Sequence, residues 1–368
     1  MRHDRKTSVV VVVGPTGSGK TDLGILLAQR FHGAVIAADS RTVYRGMDIG
    51  TAKAIAHEEK NASLHARSSR GAASDEGPPT DVQSPQCPTA HARSSRGAAS
   101  DERPPTAVRS SKRSTTDTPI LVRGIPHYCI DIRNPDQPYS AAAFVHDAAR
   151  CIRRIARQGR LPIVVGGTGL YVEALVGGLD LPDVPPNAAL RAALAAQSVE
   201  ALSAQYAALD PVGWSHIDQA NPRRLIRAIE VSRATGRPYA ELRKRRSMPF
   251  SFLQIGVDRS LPVLQRRIVS RAHAMLRQGL IAETEALAHQ YGMIEPLRGM
   301  GYREVIAWLQ QDAALRAPRR ELGQCIARAT YRYARKQLAW FRRDPTVRWV
   351  HSSPQAVRMV RLFLADRG

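Results

Sequence analysis

Residues Val9 to Thr21, VVVVVGPTGSGKT, restrict the fold more than any other stretch of the chain. Five β-branched apolar residues in succession suit a strand buried on both faces, as in the interior of a parallel sheet. The next eight residues, Gly14, Pro15, Thr16, Gly17, Ser18, Gly19, Lys20 and Thr21, fit the pattern G-x-x-x-x-G-K-[ST] of a phosphate-cradling loop. Glycines let successive backbone amides turn inward as an anion nest. The amphipathic run behind them starts a helix whose positive dipole end points at the same spot. Lys20 adds a mobile charge for an outer phosphate, and the Thr21 hydroxyl is a ligand for Mg2+. The pattern therefore predicts a polyphosphate site.

The charge balance points to a second, larger anion. Lys and Arg number 54 against 32 acidic residues, a net charge of +22. An excess of this size argues for nucleic acid first and a membrane surface second. Cys87, Cys129, Cys151 and Cys325 lie far apart, with no C-x-x-C pair and no zinc spacing, and read as reduced thiols of a cytoplasmic protein. The apolar run at the start is too short for a signal peptide and continues into the phosphate loop. No stretch approaches the length of a membrane span.

Along the chain, GAVIAADS reads as a second strand ending at Asp39 and Ser40, beside the phosphate loop in the crevice where open α/β sheets bind ligands. Between 54 and 118 bulky apolar residues almost vanish, and HARSSRGAASDE occurs at 65–76 and again at 91–102. Without an apolar face this repeat cannot offset its chain entropy, so the segment reads as a disordered insertion. PILVRGIPHYCIDI resumes as a strand, Ser140 caps the next helix, and RLPIVVGGTGLYVEAL supplies a further strand, glycine turn and helix. Residues 180–247 are helical and basic and read as a small inserted domain. Residues 248–350 return to the sheet and end on a basic helix, and 351–368 form a terminal helix. The expected architecture is α/β: a P-loop NTPase-like doubly wound parallel sheet assembled from 1–53, 119–179 and 248–350.

On the basic helix Arg328, Arg332, Arg335 and Lys336 fall on one face, interleaved with Tyr331, Tyr333, Trp340 and Phe341. Cations for phosphates and rings for stacking suit single-stranded RNA. A solvated charged face over a core of aromatics is the alternative reading.

The segments GPTGSGKT, DSRTVYRGMDIGTAK, GIPHYCIDI, LPIVVGGTGLY, NPRRLIRAIEV, GMGYRE and YARKQLAWFR, in this order, resemble the bacterial tRNA dimethylallyltransferase family. The resemblance implies transfer of a dimethylallyl group from dimethylallyl diphosphate to the exocyclic amine of the adenosine just 3′ of the anticodon, with Mg2+. It makes Asp39 the catalytic base, Thr168 a contact to the target base, and Lys20, Arg267 and Arg271 partners of the diphosphate. A helix cap, or a group behind Mg2+, is the alternative role for Asp39; a turn hydroxyl is the alternative for Thr168. The segments that contact tRNA in the family correspond to Asp39, Ser40, Arg41 and Thr42; to Arg191; and to Arg223, Arg224, Leu225, Ile226 and Arg227. They continue with Arg298, Gly299, Met300, Gly301, Tyr302 and Arg303, and with Arg335, Lys336, Gln337, Leu338, Ala339, Trp340, Phe341 and Arg342. Arg223 stands where the family usually carries glutamine. The implied partners are the tRNA anticodon stem-loop and dimethylallyl diphosphate, with no membrane, and the chain is expected to be a monomer. A small-molecule or nucleoside kinase with the same loop, or an RNA-binding module without chemistry, are the competing functions.

Overall fold

The computed structural model describes residues 6–53, 118–182, 184–243 and 245–366. The expected disordered insertion therefore lies, except for Thr118, outside the described residues, as does Cys87. The described residues divide into two compact units: 8–53, 118–139, 151–169 and 252–366 form one, and 6–7, 140–150, 170–182, 184–243 and 245–251 form the other.

The chain forms β1 (Thr7–Val13), α1 (Lys20–Arg30), β2 (Gly33–Ala38), β3 (Ile120–Val122), β4 (Ile125–Tyr128), α2 (Ala141–Arg157), whose residues up to Arg150 are grouped with the smaller unit, and β5 (Leu161–Gly166). After α3 (Gly169–Val176), which from Leu170 on belongs to the smaller unit, and that unit's other helices, β6 (Phe250–Val257) returns to the sheet. There follow α9 (Leu261–Arg277), α10 (Leu280–Tyr291), α11 (Tyr302–Leu309), α12 (Arg319–Arg342), β7 (Arg348–Val350) and α13 (Ser353–Ala365). The seven strands run in the order β3-β4-β2-β5-β1-β6-β7. β5 pairs in parallel with both β1 and β2, β2 pairs in parallel with β4, and β6 pairs in parallel with β7.

The sheet departs from the expected architecture at one edge. PILVRGIPHYCIDI is not one strand but a hairpin, with β3 antiparallel to β4. Arg123 and Gly124 both have positive φ, 49° and 73°, the conformation a two-residue hairpin turn requires. The strand also stops at Tyr128, because Cys129 and Asp131 take positive φ and the chain turns to run beside residues 42–43, where the Asp131 amide donates to the Thr42 carbonyl.

Strand alternation explains two layers of core. Val10, Val12, Ile163, Val165, Ile255 and Val257 share a cluster with Leu23 and Leu27 of α1 and with Ala356 and Val360 of α13. Val9, Val11 and Val13 point the other way and are also fully buried, so β1 is covered on both faces. A second cluster joins Val43 and Met47 to α9, α10, α11 and α12 through Ile268, Leu280, Tyr302 and Ile326.

The smaller unit holds α4 (Ala188–Ala195), α5 (Val199–Leu209), α6 (Pro211–His216), α7 (Pro222–Thr235) and α8 (Tyr239–Leu242) around Leu194, Leu202, Tyr206, Leu225 and Ile229. Its helix starts are set by side-chain acceptors at Asn187, Ser198, Asp210 and Asn221, and α7 ends at Gly236 in the left-handed region. No helix among the described residues is long and apolar enough to cross a membrane.

Candidate active site

The phosphate loop joins β1 to α1. Gly19 caps the helix at φ 92°, a conformation a side chain would resist, and Arg267 of α9 brings its guanidinium within 3.6 Å of where a β-carbon there would stand. Two loop amides are already used: Ser18 donates to the Pro15 carbonyl (3.1 Å) and Thr16 to Oε1 of Gln337 (2.8 Å). The first amides of α1 carry no intrahelical acceptor, as at any helix start. The Ser18 hydroxyl is fully buried and has no hydrogen-bond partner among the described residues.

Lys20 bends back so that its ammonium lies 3.4 Å from the Pro15 carbonyl. Burial pushes this ammonium down to about 8; the Asp39 carboxylate works against that fall and the Arg271 guanidinium adds to it. Arg271 is itself lowered by burial, again opposed by Asp39, and donates to the Thr51 carbonyl at 3.2 Å. Lys20, Arg271 and Asp39 are thus electrostatic neighbours beside the loop, and Arg267 stands over its glycine cap.

Asp39 follows directly on the end of β2. Its Oδ1 accepts the amides of Arg41 (2.8 Å) and Thr42 (3.3 Å), which fixes the turn and the orientation of the carboxylate. No hydrogen bond to Oδ2 occurs among the described residues. The Thr168 hydroxyl accepts from the Ser40 amide at 3.1 Å, so the turn after β5 and the turn after β2 are tied together. Thr168 is therefore a turn-binding hydroxyl, but toward Ser40 and not toward the helix behind it. Tyr333 of α12 completes this side: burial, then Asp39, raise its phenol to about 12, against the pull of Arg41 and of a hydrogen bond to Gln337.

A buried polar network holds the loop between Asp39 and Lys53. The Lys53 side chain is 1% exposed, and its ammonium donates to the Tyr44 carbonyl (2.8 Å), to Asp48 and to Asp131. Glu283 of α10 accepts the amides of Asp48, Ile49 and Gly50 at 3.1, 2.8 and 3.0 Å and the Tyr302 hydroxyl at 2.7 Å. Burial raises the carboxyl of Glu283 while these donors resist. This network supports Thr51, whose carbonyl holds Arg271. Neither Glu283 nor Asp131 stands out in the sequence; Lys53 closes a recognisable segment, but its burial carries no local signal.

The segments expected to meet tRNA divide into exposed and buried residues. Arg335, Lys336, Ala339 and Arg342 are exposed on α12, on the face of the helix that also carries Arg328 and Arg332. Gln337, Leu338 and Phe341 of the same segment are buried: they face the core because the apolar side of an amphipathic helix must. Trp340 is partly exposed and packs on Gly169, where a β-carbon would lie 2.5 Å from its indole. Arg298 and Arg303 are exposed, Gly299 and Met300 partly so, and Arg41 reaches to 3.2 Å from the β-carbon position of Gly299. Tyr302 and Gly301 are buried, and the Tyr302 hydroxyl is held by Glu283, so that side chain too serves the core.

In the smaller unit Arg223 and Arg224 are exposed, Ile226 is partly exposed, and Leu225 belongs to the core. Arg191 and Arg227 are committed to the Glu230 carboxylate, at 2.8 and 2.6 Å, and Glu230 is 1% exposed. Those two arginines neutralise a buried charge, a role their sequence context did not reveal.

A profile of the family described as IPP transferase matches residues 111–344. A tRNA dimethylallyltransferase of Pelotomaculum thermopropionicum is 33% identical over 95% of this chain and 92% of its own length. One from Thermomicrobium roseum is 35% identical over 94% of this chain and 87% of its own. Among solved structures, the tRNA isopentenylpyrophosphate transferase of Bacillus halodurans superposes with a TM-score of 0.59 at 29% identity, covering 98% of this chain and 97% of that one.

Proposed function

This chain belongs to the IPP transferase family, and from that premise we propose that it transfers a dimethylallyl group from dimethylallyl diphosphate to tRNA. The acceptor is the exocyclic amine of the adenosine 3′-adjacent to the anticodon, in tRNAs that read codons starting with U. In the reaction the donor's C–O bond to diphosphate breaks and a C–N bond to the adenine forms. The amine loses one proton and diphosphate leaves.

The observation that carries this reading is geometric: Lys20 of the phosphate loop packs against Gly167, next to Thr168, whose hydroxyl is bonded to the Ser40 amide beside Asp39, while Arg267 stands over the loop's Gly19 cap. Diphosphate held by the loop amides, Lys20, Arg267 and Arg271 would gain stabilisation as negative charge develops on it. Asp39 is oriented by two amides through Oδ1, and its Oδ2 is available to accept a hydrogen bond from the adenine amine and then its proton. The Thr168 hydroxyl, already accepting from Ser40, retains its own proton to donate to the base. Tyr333 and the partly exposed Trp340 offer ring faces to an unstacked base, and the exposed cations of α12, with Arg298 and Arg303, offer phosphate contacts. Arg223 and Arg224 do the same on the smaller unit.

Mg2+ fits this donor set. Thr21 is exposed on the first turn of α1, and no group of three His, Cys, Asp or Glu able to hold a metal occurs among the described residues. The Thr21 hydroxyl would hold the ion, which would supply positive charge against the leaving group.

The test is direct. Purified protein is incubated with Mg2+, dimethylallyl diphosphate and unmodified tRNA, and the digested nucleosides are weighed by mass spectrometry. The expected result is an isopentenyl mass gain on one adenosine, release of one equivalent of diphosphate, and no consumption of ATP. Phosphate transfer from ATP with no prenylated nucleoside would overturn the reading.

A further inference from the structure

We infer that Gln337 is a positioning residue: its buried amide sets the spacing between the phosphate loop and the turn at 166–169, and so between leaving group and acceptor. The inference rests on the transferase reading above. Gln337 is 6% exposed on the core side of α12. Its Oε1 accepts the Thr16 amide at 2.8 Å, and its Nε2 donates to the Gly167 carbonyl at 2.7 Å. The two partners belong to different loops. Thr16 lies in the loop that would hold diphosphate; Gly167 is the neighbour of Thr168, whose hydroxyl is tied to Ser40 next to Asp39.

The chemistry explains why this position needs an amide. The Thr16 partner is a donor and the Gly167 partner an acceptor, so the side chain must present one acceptor and one donor at opposite corners. A carboxylate lacks the donor, a lysine lacks the acceptor, and an apolar side chain leaves two buried backbone groups unpaired. The approach is also close. A β-carbon on Gly167 would sit 2.4 Å from Gln337 Nε2, so the turn can meet the amide only without a side chain there. The same helix thus turns its cations outward and, one residue past Lys336, clamps both halves of the reaction site from beneath.

Because catalysis of group transfer depends on sub-ångström placement of the reacting atoms, loosening this joint should cost turnover more than tRNA affinity. Two variants test it: Gln337→Met removes both loop hydrogen bonds, and with them the one to Tyr333, at similar length, and Gly167→Ala displaces the amide without removing it. Each is measured for kcat, for KM of tRNA, for affinity toward inorganic pyrophosphate by calorimetry, and for Tm. The expected signature is a kcat at least tenfold lower. Pyrophosphate binding should weaken about fivefold, the equivalent of one net hydrogen bond, and the tRNA KM should stay within about twofold of the parent. The double variant should be no worse than the poorer single one, because both break one joint. If Gln337→Met does not fold, Gly167→Ala decides alone.

Unchanged kcat and pyrophosphate affinity in a folded variant would overturn the inference. So would a loss confined to the tRNA KM, which would make Gln337 an RNA contact, or losses that simply add in the double variant. A parent protein that prenylates nothing would count against the proposed reaction instead, and the pyrophosphate measurement would still judge the joint.

Discussion

Replacing Lys53 by methionine removes the cation at the centre of the network that shapes the loop from Asp39 to Lys53. Its side chain is 1% exposed, Asp131 is 10% exposed and Asp48 is 45% exposed. The two carboxylates should therefore contribute unequally. Stripping the cation from a buried pair costs about 3–5 kcal/mol, because the remaining charge is left without compensation. The half-exposed Asp48 arm is screened by water and adds at most about 1 kcal/mol. Burial already raises the Asp131 carboxyl in spite of Lys53, so in the variant this group escapes by taking up a proton, and the loss should fall at the lower end, about 3 kcal/mol.

The sign with pH follows. Asp131's pKa is raised on folding, so its protonated form is the one the fold tolerates, and the penalty grows as pH rises through its folded value. Lys53→Met should be less destabilised at about pH 5 than at about pH 8. Asp131→Asn should cost less than Lys53→Met, since the ammonium keeps Asp48 and the Tyr44 carbonyl, and the double variant should recover at least about 1 kcal/mol of the summed losses. Urea midpoints at the two pH values provide the measurement. A Lys53→Met loss below about 1 kcal/mol, or Asp48→Asn as damaging as Asp131→Asn, would refute the burial argument.

Three further outcomes are expected. Asp39→Ala should lower single-turnover prenyl transfer by at least about a hundredfold while stem-loop affinity, measured by filter binding, stays within about threefold; near-normal turnover would remove Asp39 as the base. Because Lys20 is held near 8, its charged form declines as pH rises above that value, so affinity for dimethylallyl diphosphate should fall between about pH 7 and 9, and Lys20→Arg should flatten that slope; calorimetry across this range checks it. Burial would raise the Glu230 carboxyl, but hydrogen bonds from Arg191, the Asn187 amide and Arg227 overcome it and hold the group at about 2. A depressed carboxyl stabilises the fold above its unfolded value and loses that contribution as pH falls toward 2, so Glu230→Gln should cost roughly 3 kcal/mol at neutral pH and remove this group's share of the acid-limb dependence, read from urea midpoints.

The sheet was legible because its signals are local. Five consecutive valines force a strand covered on both faces, and the loop behind them can be satisfied only by a strand-to-helix turn. The helix limits of the smaller unit have local causes as well: Asn187, Ser198 and Asn221 each accept an amide three residues on, and Gly236 supplies the left-handed stop. The hairpin at β3 and β4 was missed although Arg123-Gly124 marks it. Its strands are only three and four residues long, too short for alternation to show two runs in place of one.

The candidate site was legible only to the depth of its motifs. Lys20 and Asp39 were placed in one crevice by the rule that ligands gather at the carboxyl ends of parallel strands, and they are electrostatic neighbours in the fold. What the sequence withheld is which polar residues turn inward. Gln337 lies in a segment rich in cations and rings, where an amide reads as one more RNA contact, yet the phase of the helix buries it between Leu338 and Ala334. Arg191 and Arg227 look like phosphate ligands until Glu230, 39 and three residues away, is found buried beneath them. In each case the deciding partner is remote in sequence or hidden by helical phase, and the chemistry of the residue alone cannot separate a group that grips a polyanion from one that cancels a buried charge. A positively charged surface is therefore better counted from exposed arginines not held by a buried carboxylate, such as Arg223, Arg224, Arg298, Arg332 and Arg335, than from the net charge of +22. Each of these that meets a phosphate should lower the salt dependence of stem-loop binding by about one ion when neutralised, whereas neutralising Arg191 should leave the salt slope unchanged and lower stability.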